Sequence, residues 1–275
     1  MVKYGSLTNP LFGMRKEIKR VARGGFDYVE LGMEAPEGDP GMLWSRKEEV
    51  LRELRKSGLP VIAHTAWWMD LSSPYGEIRR SWVTVGKGCI DVARFFGASY
   101  VNFHSHAMGM MMKGAGRKKT LDAMAKSLRE LVAYGKKHKI SIMLENAGEA
   151  GEIRKFVDFK HVVDRVPGLF VHLDIGHAHI GGGMKGVERF VRSFGKRIAH
   201  VHISDNHGKS DEHLPLGKGN LDLKKTVKLL KSVHYNKTIT FEIFTKNYGP
   251  DQIKSRKKFD AVWRGISTQT EKPIL

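Results

Sequence analysis

The chain has 275 residues, 41% of them hydrophobic, and its single cysteine, Cys89, excludes an intramolecular disulfide and a cysteine-rich zinc site. Lys and Arg number 47 against 29 Asp and Glu, a net charge of +18 that favours nucleic acid or a phosphorylated substrate unless it belongs to a solvated surface. No apolar run reaches the roughly 20 residues of a membrane span and no signal-peptide segment is recognisable, so we expect a cytoplasmic protein without membrane contact.

Short apolar segments alternate with longer amphipathic segments along the chain. We predict strands at residues 2–6, 27–32, 60–64, 99–104, 140–145, 169–174, 198–203 and 238–243. Helical periodicity occurs between them, for example at residues 78–96, 120–138 and 223–233. Gly58 and Gly97 follow helical segments, where glycine would end them. This alternation is typical of βαβ units in a parallel sheet.

Eight βα units predict an α/β fold, a single-domain (β/α)₈ barrel of the TIM type. We expect the barrel to span residues 1–263 and a C-terminal tail to span residues 264–275. An open, doubly wound sheet is the structural alternative. The segment after the first strand lacks the glycine-rich phosphate-binding fingerprint that would favour the open sheet.

Polar residues recur at the ends of six consecutive strands, where a barrel forms its active site. These residues are His64, His104, Glu145, Asp174, His202 and Glu242. His177 and the triplet Asp211-Glu212-His213 lie in nearby loops. Carboxylates that converge in one pocket would repel each other unless divalent cations offset their charge. Mixed imidazole and carboxylate donors suit zinc, manganese or iron better than calcium or magnesium, so we predict a metal site.

Four further histidines are weaker candidates. Residues two apart in a strand share a face, so His172 and His200 should lie one layer below the ligands of their strands. We expect both to support the site or the core rather than to bind metal. His106 and His179 are predicted in loops near the site, where they either contact substrate or are solvated.

The order of these motifs resembles the xylose-isomerase-like barrel superfamily, which contains endonuclease IV and the sugar isomerases and epimerases. The resemblance covers nearly the whole chain. It rests on His64, Asn102-Phe103-His104, Leu144-Glu145-Asn146, Asp174 with His177, His202-Ile203-Ser204-Asp205, Asp211-Glu212-His213 followed by Gly217 and Gly219, and Glu242.

The endonuclease IV branch uses three metals and nine ligands, and all nine positions are filled in this chain. The resemblance implies three ligand groups, the first two of which share one bridging carboxylate: His64, His104 and Glu145; Asp174, His202 and Glu242 with Glu145; and His177, Asp211 and His213. In the isomerase-like branch a single metal is held by Glu145, Asp174, His202 and Glu242 alone.

Two loops favour different functions. Trp67-Trp68 follows His64, where endonuclease IV-like proteins carry an apolar wedge that enters the duplex at the damaged site. The alternative is that both tryptophans wall a sugar pocket. The segment at residues 30–39, which contains Glu34, is acidic, whereas endonuclease IV has basic, DNA-contacting residues there. An acidic loop at the barrel mouth would repel a duplex, which indicates a divergent relative.

These observations predict a metal-dependent phosphodiester hydrolase resembling endonuclease IV that acts on abasic DNA. Its cofactors would be up to three divalent metals, zinc first, with manganese or iron as alternatives, and Glu145 and Glu242 would be catalytic. The alternative is an isomerase or epimerase of a small phosphorylated or free sugar. In that enzyme the same two glutamates would flank one metal and move a proton beside a carbonyl. A barrel that only binds ligand or protein is the third possibility.

Overall fold

A computed structural model describes residues 1–108, 113–148 and 153–266 of the chain. In these ranges eight parallel strands form a closed barrel in chain order, which confirms the predicted fold. The strands are β1 (Lys3–Leu7), β2 (Tyr28–Met33), β3 (Val61–Thr65), β4 (Tyr100–His104), β5 (Ser141–Glu145), β6 (Phe170–Asp174), β7 (Ile198–Ile203) and β8 (Thr238–Phe241).

Helices surround the barrel. Those in the described ranges are α1 (Met14–Arg23), α2 (Pro40–Ser45), α3 (Lys47–Ser57), α4 (Gly76–Phe95), α5 (Gly114–Lys137), α6 (Phe156–Asp164), α7 (Ile175–His179), α8 (Gly183–Phe194), α9 (Leu223–Ser232) and α10 (Tyr248–Gly265). Helix α10 continues past residue 263, and residues 267–275 of the predicted tail lie outside the described residues. None of these helices combines the length and apolar character needed to cross a bilayer.

The helices pack on the barrel through apolar stripes at helical spacing. In α1, Met14, Ile18 and Val21 are buried, while Arg15 and Lys16 are exposed. Helix α3 ends at Gly58, whose φ of 65° is favourable for glycine and places its N–H against the carbonyl of Leu54. Part of the positive charge therefore lies on the solvated outer faces of helices, as a barrel requires.

Strand register brings polar residues of neighbouring strands to one level. His104 pairs with Glu145 across β4 and β5, and Asp174 pairs with His202 across β6 and β7. At the opposite end, the barrel interior is closed by an apolar cluster of Tyr28, Ile62, Met143 and Ala199. The polar layer at the carboxyl ends of the strands is therefore held between this floor and solvent.

Candidate metal centre

A cleft of about 710 Å³ opens at the carboxyl ends of the strands. Seven of the nine predicted ligands line it: His64, His104, Glu145, His177, Asp211, His213 and Glu242. The other two, Asp174 and His202, have no exposed surface and lie behind them. The rest of the wall includes apolar and aromatic side chains, namely Leu7, Pro10, Leu11, Trp67, Phe244 and Tyr248.

All nine residues come together in three groups, in each of which the ligand atoms lie within 4.8 Å of one another. The groups are His64, His104 and Glu145; Glu145, Asp174, His202 and Glu242; and His177, Asp211 and His213. We call these the first, second and third groups. Glu145 belongs to the first two, which is the arrangement that the resemblance implies.

Short contacts hold each group together. His104 Nε2 lies 3.2 Å from Glu145 Oε2 in the first group. His202 Nδ1 lies 3.2 Å from Glu242 Oε2 in the second group. Asp211 Oδ2 lies 2.8 Å from His177 Nε2 and 2.9 Å from His213 Nε2 in the third group.

The donor set fits divalent cations. Five buried atoms of these residues have no hydrogen-bond partner among the described protein atoms: His104 Nδ1, Asp174 Oδ2, His202 Nδ1, Asp211 Oδ1 and Glu242 Oε2. Buried polar atoms are normally satisfied, so converging lone pairs without partners need another explanation. A cation would supply the missing partner, and imidazole with carboxylate is a donor mixture typical of zinc.

Burial and the charges of the converging carboxylates also shift the pKa values of residues in the site. Burial, reinforced by the charges of Glu242 and Glu145 and opposed by His177, raises the pKa of Asp174 to about 7. Burial opposes a charged imidazole, but the charge of Glu242 and the hydrogen bond to Asp211 raise the pKa of His213 to about 9. Bound protons therefore balance part of the carboxylate charge, and a divalent cation would take their place.

Below the ligands lies a second polar layer. His172 and His200 are fully buried, one layer below Asp174 and His202, as the strand alternation predicted. His172 Nδ1 lies 3.2 Å from Glu145 Oε2. Sequence analysis missed the carboxylate of this layer, Glu30. It could have been found from the same alternation, which puts Glu30 on the face of β2 that Tyr28 shares.

The acidic segment at residues 30–39 differs from the prediction, because most of its charge is used locally. Glu30 is inside β2 and has no exposed surface. Glu37 pairs with Arg46 at 2.8 Å, and Asp39 caps α2 by accepting from the backbone N–H groups of Gly41 and Met42. Only Glu34 of these four carboxylates lines the cleft. Most of the acidic charge of this segment is therefore paired or buried locally rather than presented at the barrel mouth.

The four predicted substrate contacts divide between cleft and core. Trp67 lines the cleft and is 53% exposed, with its ring centroid 5.6 Å from that of Trp68 and 5.8 Å from that of His106. Trp68 and His106 thus adjoin the cleft through Trp67. His179 is buried and its Nδ1 lies 2.8 Å from Asn206 Oδ1, so the structure does not place it where substrate could reach it.

His177 also lies in different surroundings from those expected. It belongs to the short helix α7 rather than to a loop. The carboxylate of Asp174 caps this helix, because its Oδ1 accepts from the backbone N–H of His177 at 2.6 Å. One aspartate therefore both fixes the turn that presents His177 and directs its other oxygen into the second group.

Comparison with known proteins finds relatives in both branches of the superfamily. The chain is 26% identical over 264 residues to a probable endonuclease 4 of Aquifex aeolicus (strain VF5), covering 89% of this chain and 92% of that protein. It is 26% identical over 265 residues to an L-ribulose 3-epimerase of Methylomonas sp. (strain DH-1), covering 92% and 85%.

The barrel is also similar to solved structures. A crystal structure of a D-tagatose 3-epimerase-like protein has a TM-score of 0.82 at 21% identity, covering 96% of this chain and 99% of the other, which shows a shared fold. Residues 18–261 match the model of the xylose isomerase-like TIM barrel family, and the chain belongs to this family.

Proposed function

We propose that the chain is a metal-dependent phosphodiester hydrolase similar to endonuclease 4 and that it acts at abasic sites in DNA. The observation that carries the proposal is the convergence of nine donors into three groups, the first two of which share Glu145. A one-metal epimerase needs only the second group. The five remaining donors would then have no purpose, although burying so many polar groups is costly.

The chain's own residues would hold and orient the reacting groups. Asn102 Nδ2 donates to Glu145 Oε2 at 2.7 Å, which fixes the shared carboxylate of the first and second groups. Phe244, whose ring lies 4.4 Å from that of His213, would place an apolar surface beside the third group. When bound, divalent cations would neutralise phosphate charge and lower the pKa of water, and zinc is the metal that these donors favour.

Three properties of the surface favour DNA as the substrate. Trp67 is exposed at the edge of the cleft, where an aromatic ring could stack on a base beside the abasic site. Lys246 adds a positive charge to the cleft wall. The net charge of +18 provides attraction to the phosphate backbone over the whole molecule.

A sugar epimerase is the second candidate, and the shape of the cleft favours it. A cleft of about 710 Å³ with an apolar wall suits a small ligand better than an open, flat face does. Glu145 and Glu242 belong to the same group and would face a bound ketose from that group. In this function they would exchange a proton at the carbon beside the carbonyl.

The two functions can be separated with one preparation of zinc-loaded protein. We would measure the cleavage of a synthetic duplex with one abasic site, an undamaged duplex of the same sequence, and the interconversion of a panel of ketoses. Metal per chain would be counted by elemental analysis. Three zinc ions and cleavage of only the abasic duplex are expected. One metal, no cleavage and ketose interconversion would replace the hydrolase by the epimerase.

A further inference from the structure

Glu30 lies inside the barrel, directly below the ligand groups. It belongs to β2 and has no exposed surface. Within the described residues, its ion-pair partners are all histidines, without a lysine or arginine. A carboxylate buried in this way is strongly disfavoured unless its oxygens accept hydrogen bonds. Its surroundings must therefore supply donors.

Three imidazoles supply them. His64 Nδ1 lies 2.9 Å from Glu30 Oε1. His202 Nε2 and His200 Nε2 lie 2.9 Å and 3.0 Å from Glu30 Oε2. A carboxylate can only accept, so each of these nitrogens carries a proton. His200 is held from its other side by Thr238 Oγ1, 2.8 Å from its Nδ1, and it joins none of the three groups.

These bonds decide which nitrogen remains available for a cation. In His64 it is Nε2, which faces Glu145 Oε2 at 3.9 Å in the first group. In His202 it is Nδ1, which faces Glu242 Oε2 at 3.2 Å and Asp174 Oδ2 at 3.9 Å in the second group. The two free nitrogens therefore point into two different ligand groups, and one carboxylate sets both.

We propose that Glu30 is a positioning residue that fixes the tautomer and ring orientation of one histidine ligand in the first group and one in the second. It would couple the two cation sites from below, in addition to the coupling through Glu145. The inference rests on the metal centre of the proposed function. The third group has no contact with Glu30 in the described residues and serves as an internal reference.

The test uses zinc binding rather than turnover. Glu30→Gln keeps the shape of the side chain but leaves only one accepting oxygen, so either His64 or the pair His200 and His202 loses its acceptor. We expect competition with a chelator to show at least one of the zinc ions of the first and second groups weakened by about 10- to 100-fold, with the ion of the third group unchanged. The matched variant Tyr28→Phe removes the bond to Thr240 one layer below Glu30 and should leave all affinities unchanged.

The outcomes separate this inference from the proposed function. Wild-type protein that binds no zinc would overturn the metal centre and the role of Glu30 together. Three tight zinc ions in both wild type and Glu30→Gln would overturn the role of Glu30 alone. NMR of zinc-loaded wild type provides a readout that does not depend on a variant folding. Protons on His64 Nδ1 and His202 Nε2 are expected, and the opposite tautomers would overturn the inference.

Discussion

His213 shows how one side chain can distinguish the two candidate activities. Its φ of 45° is in the left-handed region, which is uncommon for a residue with a side chain. The loop is held there by Asp205 and Leu214, whose backbones exchange hydrogen bonds of 2.8 and 2.9 Å. Strain of this kind often occurs where a side chain must reach a particular position. In this chain it brings the imidazole to Asp211 in the third group.

We predict that His213→Ala removes one zinc ion per chain and reduces abasic-site cleavage by at least about 100-fold, as expected when charge stabilisation at the leaving group is lost. Any ketose interconversion should persist, because His213 lies outside the second group. The control is His207→Ala, which removes an exposed histidine that pairs with Glu212 in the same loop. Elemental analysis and single-turnover cleavage measure the effect. Full cleavage by His213→Ala would contradict a role for the third group.

How well each site residue could be predicted depends on whether it lies at a strand end, inside a strand or at the end of a helix. Six of the nine predicted ligands were recognisable because polar side chains at the ends of apolar strands are unusual. Glu30 was not, because a carboxylate inside β2 looks like the beginning of the acidic segment that follows it. His179 was misplaced because sequence spacing cannot tell a buried helix end from a loop. The ligand roles remain a prediction that metal analysis must test.

Among the secondary-structure elements, α7 and α8 determine the position of His177. Gly186 of α8 packs so closely that a Cβ there would lie 2.3 Å from the backbone oxygen of Ala178 in α7. Because this oxygen belongs to the backbone, it cannot move aside as the end of a flexible side chain could. The absence of a side chain at Gly186 is therefore a condition for the short helix that presents a third-group ligand.

We predict that Gly186→Ala destabilises the protein by about 1–3 kcal/mol, the usual cost of overpacking, and weakens zinc binding at the third group. Gly88→Ala is the matched control. Gly88 is also inside a helix, α4, but a Cβ there would meet nothing within 4 Å. It should gain about 0.5–1 kcal/mol, because alanine is the better helix former. Chemical denaturation measures both, and equal effects would contradict the packing argument.

The loop after β3 carries the second element-scale prediction. We expect Trp67→Ala to weaken binding of an abasic duplex by about 1–3 kcal/mol, the value of one aromatic side chain stacked on a base. Trp44→Ala is the control, because Trp44 is 46% exposed but packs on Phe95 in the helical shell. Fluorescence anisotropy with a cleavage-resistant phosphorothioate duplex measures the affinity. An equal loss in both variants would argue against a wedge.

Element boundaries show where sequence patterns stop being informative. Strands β1 to β6 each begin one residue later than predicted, while β7 and β8 begin where predicted. Apolar residues such as Val2, Ile140 and Leu169 are buried just before the strands, so the apolar pattern extends beyond the hydrogen-bonded ladder. The short helices α2 and α7 were not predicted. They depend on single capping carboxylates, Asp39 and Asp174, rather than on periodicity.

For the whole molecule, charge is divided between interior and surface. The acidic residues of the site are buried or partly buried at the barrel mouth, whereas the outer helices carry exposed basic residues such as Arg15 and Lys16. Cations in the three groups would make the mouth less negative still. The metal-loaded protein would then combine a less negative barrel mouth with basic residues on its outer helices.

This distribution predicts a steep dependence of duplex binding on salt. Each phosphate contacted by Lys or Arg releases condensed counterions, so six contacts would weaken binding about 10³-fold between about 50 and 200 mM salt. The same slope is expected for an undamaged duplex, because backbone contacts do not depend on the lesion. The preference for the abasic duplex, which depends on Trp67 and the cleft, should therefore persist at both salt concentrations. Anisotropy titrations with both phosphorothioate duplexes measure slope and preference together. A steep slope without any preference would mean that the charge of +18 binds DNA nonspecifically, and it would leave the cleft to a small sugar.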